Sequence, residues 1–194
     1  MNRLKIALAG NPNAGKSTIF NALTGSSQHV GNWPGKTVAK KEGSFREGDY
    51  EITLTDLPGS YSLTAYSPEE MITRDFLINE RPSLVITVVD AANLERNLYL
   101  TVQVLELGVP VVIALNMSDV AKERGITIDS ERLGQELGAP VISTVASQGE
   151  GIKLLKETAV KQAVSHTESQ AAAGIRSNGQ CSTAEQMLEP HENG

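Results

Sequence analysis

Cysteine is nearly missing: Cys181 is the only one in 194 residues. A disulfide framework is therefore excluded, and a reducing, cytosolic setting is expected. Aromatic residues make up 4% of the sequence, too few for the stacking platforms that grip single-stranded nucleic acid. Positive charge is not in excess either, since 17 Lys and Arg face 23 Asp and Glu for a formal net charge of -6. Such a chain is a poor general binder of a phosphate backbone, so no nucleic-acid partner is expected. A nucleotide is a different matter, because it needs only a local nest of amides and one cation. No apolar run is long enough to span a bilayer. The first one ends at Ala9, before Gly10 and Pro12, and is too short for a signal segment. The chain in hand reads as soluble. The histidines His29, His166 and His191 lack ligand-type spacing, and no internal repeat is visible.

What is present is an alternation of strands and helices. Ile6-Ala7-Leu8-Ala9 reads as a buried strand, and the segment from Ser17 to Leu23 as a helix with Ile19, Phe20 and Leu23 on one face. Residues 25–37, rich in Gly, Ser, Asn and Pro, read as a long loop of the kind that carries function. Residues 38–46 and 50–55 suggest a hairpin turning at Gly48-Asp49. Ser67-Pro68-Glu69-Glu70 is a helix start. Residues 84–90 and 111–115 are apolar on both faces, as in a parallel sheet. Helices are expected from about Leu94 to Leu107, from Asp129 to Leu137 and from Gly151 to about Val164, with a short strand at Val141-Ile142. The fold class is α/β, a mostly parallel sheet of six or seven strands with helices on both faces. Residues 1–164 form the domain. Residues 165–194 read as a polar, flexible tail with at most a short helix near Ala184 to Leu188.

Four motifs carry chemistry. Gly10-Asn11-Pro12-Asn13-Ala14-Gly15-Lys16-Ser17 matches G-x-x-x-x-G-K-[ST] between a strand and a helix. Its amides would cradle phosphates, Lys16 would reach the terminal ones, Ser17 would ligate Mg²⁺, and the helix end adds partial positive charge, with Thr18 beside it. Asn116-Met117-Ser118-Asp119 follows a strand and resembles the N-K-x-D element of GTPases. A carboxylate at Asp119 can accept both guanine N–H groups, which adenine cannot offer. Asn116 would brace the loop and reach N7, and Met117 would stack on the base in place of a lysine stem. Asp56-Leu57-Pro58-Gly59 matches the D-x-x-G element, whose Asp serves Mg²⁺ through water and whose glycine amide meets the γ-phosphate. Thr37, with Gly35 and Lys36 before it, is the candidate switch I threonine; its hydroxyl would ligate Mg²⁺ and its amide touch the γ-phosphate. Thr144-Val145-Ala146-Ser147 occupies the last base-recognition position, where the Ala146 amide would meet guanine O6 while Val145 lacks a bracing hydroxyl.

Two longer stretches narrow the family. Val30-Gly31-Asn32-Trp33-Pro34-Gly35-Lys36-Thr37-Val38 resembles switch I of FeoB, the prokaryotic ferrous iron transporter. Asp56 to Leu63, then Ser67 to Glu70 and Arg74-Asp75, resemble its switch II. The resemblance covers roughly 1–160. It implies a Ras-like P-loop GTPase domain that binds GTP and GDP and hydrolyses GTP. It also implies attachment to a membrane transport region at the cytoplasmic face of the inner membrane, with small accessory proteins and an oligomer as possible partners.

Ser60 stands where Ras-type enzymes carry a water-orienting Gln, and no arginine lies between Gly25 and Thr37. Two readings follow: a slow switch awaiting outside help, or an enzyme in which K⁺ does part of the arginine's work. In the second, Asn13 offers an amide oxygen, and the family resemblance maps the backbone carbonyls of Gly31 and Trp33 onto the remaining cage. The groups expected to act in hydrolysis are Lys16, Thr37, Gly59 and Asn13. Trp33 itself covers the nucleotide or packs in its loop. Two other functions compete: a soluble Era-type GTPase of RNA processes, and a promiscuous nucleotidase that also takes ATP.

Overall fold

A computed structural model describes residues 2–178. Seven strands form one sheet: β1 (Asn2–Gly10), β2 (Gln28–Asn32), β3 (Ala39–Glu47), β4 (Tyr50–Asp56), β5 (Leu84–Asp90), β6 (Val111–Asn116) and β7 (Val141–Ser143). Their order is β2-β3-β4-β1-β5-β6-β7. The strands from β4 to β7 run parallel with β1, and β3 pairs antiparallel with both β2 and β4. Among the described residues six α-helices accompany them: α1 (Lys16–Thr24), α2 (Pro68–Glu80), α3 (Leu94–Glu106), α4 (Ser118–Glu123), α5 (Ser130–Leu137) and, after the last strand, α6 (Ile152–Asn178).

The period of two along β1 divides the core. Leu4, Ile6 and Leu8 meet Ile19 and Phe20 of α1 and Leu155, Ala159 and Ala163 of α6. Ala7 and Ala9 face the other way, toward Leu77 of α2 and Leu100 and Val104 of α3. The strands β5 and β6 are buried along nearly their whole length because helices cover both faces. Parallel strands in register place their carboxyl ends along one edge: Gly10, Asp56, Asn116 and Ser143 end β1, β4, β6 and β7. That edge is where open α/β sheets receive ligands.

Local signals act where expected. Ser67 caps α2 by accepting from the Glu70 amide at 3.1 Å, with Pro68 in the first turn. Asp129 caps α5, accepting from the Arg132 amide at 3.0 Å, and Gly138 ends that helix with φ 67°. Asp90 accepts from the Ala92 amide and the Asn93 side chain, a structural role at the end of β5.

Two expectations are corrected. Residues 25–37 are not one loop, because Gln28–Asn32 pair with β3 in the register Gln28↔Gly43 to Asn32↔Ala39. Every residue of β2 is exposed, so its stability rests on ladder hydrogen bonds rather than burial. The last helix does not stop at Val164 but runs to Asn178, through residues first read as tail. The last apolar residue of this helix packed on the described core is Val164, and the helix continues beyond it. Cys181, His191 and the short helix expected near Ala184 to Leu188 lie outside the described residues. Among the described residues, no helix is long and apolar enough to cross a membrane.

Candidate functional site

The glycine-rich turn leaves β1 at Gly10 and enters α1 through Gly15, at φ 86°. A Cβ on Gly15 would lie 2.1 Å from Asn116 Nδ2, so only glycine fits there. No acidic residue occupies the first turn of α1, and no side chain caps it. Its amides and dipole are thus left for an anion. Ser17, Thr18 and Pro12 are exposed beside this nest.

Lys16 Nζ is ion-paired with Asp56 Oδ1 at the centre of the site. Their side chains are 12% and 8% exposed, so the pair sits largely out of water. The Asp56 carboxylate and the Ser17 hydroxyl are hard oxygen donors at the foot of the phosphate nest, a set that fits Mg²⁺ when phosphate oxygens and waters complete it. Leu57 donates to Leu8 O at 2.9 Å and Ser60 to Gly10 O at 3.2 Å, which staples the D-x-x-G turn to the end of β1. Gly59 touches the P-loop so closely that a Cβ there would meet Pro12 at 3.2 Å.

Asn116 is the brace. It is 3% exposed. Its Nδ2 donates to Ala14 O at 3.1 Å, while its Oδ1 accepts from Thr144 Oγ1 at 3.2 Å and from the Ala146 amide at 3.1 Å. One side chain therefore ties the P-loop to the Thr144–Ser147 loop. The Ala146 amide, assigned from sequence to the base, is engaged by Asn116 in this structure. The bracing hydroxyl that Val145 lacks comes from elsewhere: Ser118 Oγ donates to Thr144 O at 3.0 Å. Val145 contributes through its backbone, exchanging two hydrogen bonds of 3.2 Å with Glu150. Met117, at φ 59°, lies beside the P-loop, its Cε 3.6 Å from where a side chain on Gly15 would begin. The Asp119 carboxylate makes no hydrogen bond among the described residues.

Switch I is partly assembled. Asn13, at φ 67°, is exposed, and its side chain makes no hydrogen bond among the described residues. The Trp33 carbonyl accepts from the Lys36 amide at 3.0 Å, and Gly31 lies within β2 opposite Lys40. The carbonyls expected around K⁺ are thus engaged in this conformation, and Thr37 lies in an exposed bend. Trp33 does not cover the P-loop. It is buried against α2, edge-on to Phe76 with centroids 5.6 Å apart, and Lys40 Nζ lies 5.2 Å over its ring. Its Nε1–H is buried without an acceptor. It borders a cleft of about 400 Å³ between switch I and α2.

Switch II is clasped by hydrogen bonds gathered on Glu70 and by contacts from α3. Burial pushes the Glu70 carboxyl up, but hydrogen bonds from Ser62, the Tyr66 and Ser67 backbone and Thr64 together hold it below its ordinary value. Leu63 donates to Gln103 of α3 at 2.7 Å. Arg96 stacks over Tyr61 at 4.4 Å, and its carbonyl accepts from Asn11 at 3.3 Å. His29 is exposed on β2.

The sequence pattern of the family described as "Ferrous iron transport protein B" matches residues 4–159. The chain belongs to this family. It is 53% identical over 158 residues to a Fe(2+) transport protein A/Fe(2+) transporter FeoB fusion protein of Porphyromonas gingivalis, covering 81% of this chain and 19% of that protein. This FeoB-family chain thus spans about one-fifth of that relative's length. The FeoB G-domain of Methanococcus jannaschii superposes with a TM-score of 0.75 at 47% identity, covering 84% of this chain and 99% of that one. The cytosolic domain of the T. maritima FeoB iron transporter in a GDP form gives 0.81 at 48% identity, over 84% of this chain and 64% of that one. The fold is accordingly the Ras-like P-loop GTPase fold, with the four motif loops gathered at the carboxyl edge of the sheet.

Proposed function

We propose that this chain is the regulatory G domain of a ferrous iron transporter, binding GTP and GDP with Mg²⁺ and hydrolysing GTP slowly, with K⁺ as activator. The observation that carries this reading is Asn116, which joins the phosphate nest to the base loop and leaves the Asp119 carboxylate unpartnered beside it. In this reading Asp119 reads the guanine edge, Lys16 exchanges Asp56 for the terminal phosphates, and the P-loop amides hold the phosphate chain. Mg²⁺, ligated by Ser17 and Thr37 and held by Asp56 through water, would neutralise phosphate charge. K⁺, between Asn13 and the carbonyls of Gly31 and Trp33, would offset charge on the bridging oxygen. The chain's own part is to present those oxygens once Trp33 O is released from Lys36 and Gly31 from its pairing with β3. Backbone groups at Thr37 would hold the attacking water. Kinship with FeoB supports a place at the cytoplasmic face of the inner membrane, joined to a transport region. The fused P. gingivalis relative supports a small accessory partner. The Era-type alternative finds no support in the family match.

One observation favours looser base choice: the Ala146 amide is shared with Asn116, so guanine O6 competes for its donor. ATP is then a weaker second substrate.

Steady-state phosphate release in KCl and NaCl at matched ionic strength tests the main reading. Release from GTP should be faster in KCl, and Asn13→Ala should remove the difference while GDP binding persists. Equal rates in both salts would overturn the role of K⁺. No release in either salt would overturn the enzyme.

A further inference from the structure

The Pro58–Gly59 peptide is anchored from one side. Pro58 O lies 3.1 Å from Ser60 Oγ and 3.3 Å from Thr73 Oγ1, and the two hydroxyls are 3.1 Å apart. Ser60 is 2% exposed and Thr73 0%, so water does not compete. Two hydroxyl protons serve three contacts. If Ser60 donates to Thr73, then Thr73 donates to the carbonyl; if Thr73 donates to Ser60, then Ser60 does. In every arrangement that uses both protons within the triangle, Pro58 O accepts at least one bond. The peptide is trans, so its N–H points opposite to its C=O. Fixing the carbonyl toward α2 therefore aims the Gly59 N–H away from α2. That amide finds no acceptor among the described residues, Gly59 lies against Pro12 of the P-loop, and the next amide, of Ser60, is already bonded to Gly10 O.

We propose that Thr73, acting with Ser60, is a positioning residue for hydrolysis: the buried hydroxyl pair locks the Pro58–Gly59 peptide so that the Gly59 N–H meets the terminal phosphate. The proposal rests on the GTPase reading above. It gives Ser60 a role other than orienting water, since its hydroxyl is turned inward. It also makes α2, through Thr73, a mechanical partner of the phosphate: a shift of this helix rotates the peptide, and a bound terminal phosphate resists the rotation. Because the triangle is redundant, either hydroxyl alone keeps the carbonyl capped.

The test is a double-mutant cycle of Ser60→Ala and Thr73→Val, with kcat for GTP and affinity for a fluorescent GDP analogue measured in parallel. Each single variant should lower kcat by no more than about 3-fold, because one hydroxyl remains. The double variant should lower it about 10–100-fold, well beyond the product of the singles, since the amide donor to the transition state loses its aim. GDP affinity should stay within about 2-fold, because GDP has no terminal phosphate to meet this amide. Thr73→Ser, alone or with Ser60→Ala, retains a hydroxyl and should behave like the wild type or the single variant, which keeps the test open if Thr73→Val fails to fold. Additive effects, or a parallel loss of GDP affinity, would overturn the proposal. A wild type that hydrolyses no GTP would instead overturn the underlying reading.

Discussion

Replacing Asn116 by alanine should weaken both the fold and the nucleotide site. The side chain is 3% exposed and makes three hydrogen bonds of 3.1–3.2 Å. Each such bond contributes about 1 kcal/mol net, and a buried partner left alone costs about 1–3 kcal/mol. The Thr144 hydroxyl can rotate toward another acceptor, but the Ala14 carbonyl and the Ala146 amide are fixed by the backbone. The expected loss is therefore about 2–4 kcal/mol. With a urea m-value near 2 kcal/mol/M, the unfolding midpoint should fall by about 1–2 M. Asn116→Asp keeps the Oδ1 acceptor with both of its bonds but turns the donor to Ala14 O into a carboxylate oxygen facing that carbonyl, so it should cost at least as much as Asn116→Ala. Gly15→Ala should act through the same brace, because its Cβ would stand 2.1 Å from Asn116 Nδ2. Combined with Asn116→Ala it should add less than the sum of the two. Urea unfolding followed by circular dichroism measures this, and a midpoint shift under about 0.3 M would refute the reasoning.

Asp119→Ala should weaken a fluorescent GDP analogue by about 1.5–3 kcal/mol, the scale of a charged hydrogen bond; unchanged affinity would mean that the base is not read there. Trp33 is the only tryptophan, so its emission reports switch I directly. A non-hydrolysable GTP analogue in KCl should shift it to the red as the ring leaves Phe76, whereas GDP should not, and identical spectra would show that Trp33 stays in place.

The P-loop, the D-x-x-G turn and the loop after β7 were legible because each is a run of contiguous residues of special type, such as Gly15 at φ 86°. The strands β5 and β6 were legible because burial on both faces leaves unbroken apolar runs. β2 was not legible, since all five of its residues are exposed and its pairing depends on β3, which no local pattern records. The extension of α6 past Val164 is not legible for the opposite reason: no apolar periodicity marks it in the sequence. Val145 is the more instructive case. Judged as a letter in a motif, it lacks a hydroxyl, and the base loop should be loose. In the structure, Asn116 accepts from the Thr144 hydroxyl and the Ala146 amide while the Ser118 hydroxyl donates to the Thr144 carbonyl, so groups up to 30 residues apart in the chain brace one loop. What the site requires is a donor at a place in space, and several chain positions can supply it. The same holds for Ser60 and Thr73, 13 residues apart, which share one carbonyl. A motif therefore locates the atoms that touch the ligand, while the groups that aim those atoms are visible only after the sheet has brought its carboxyl ends together.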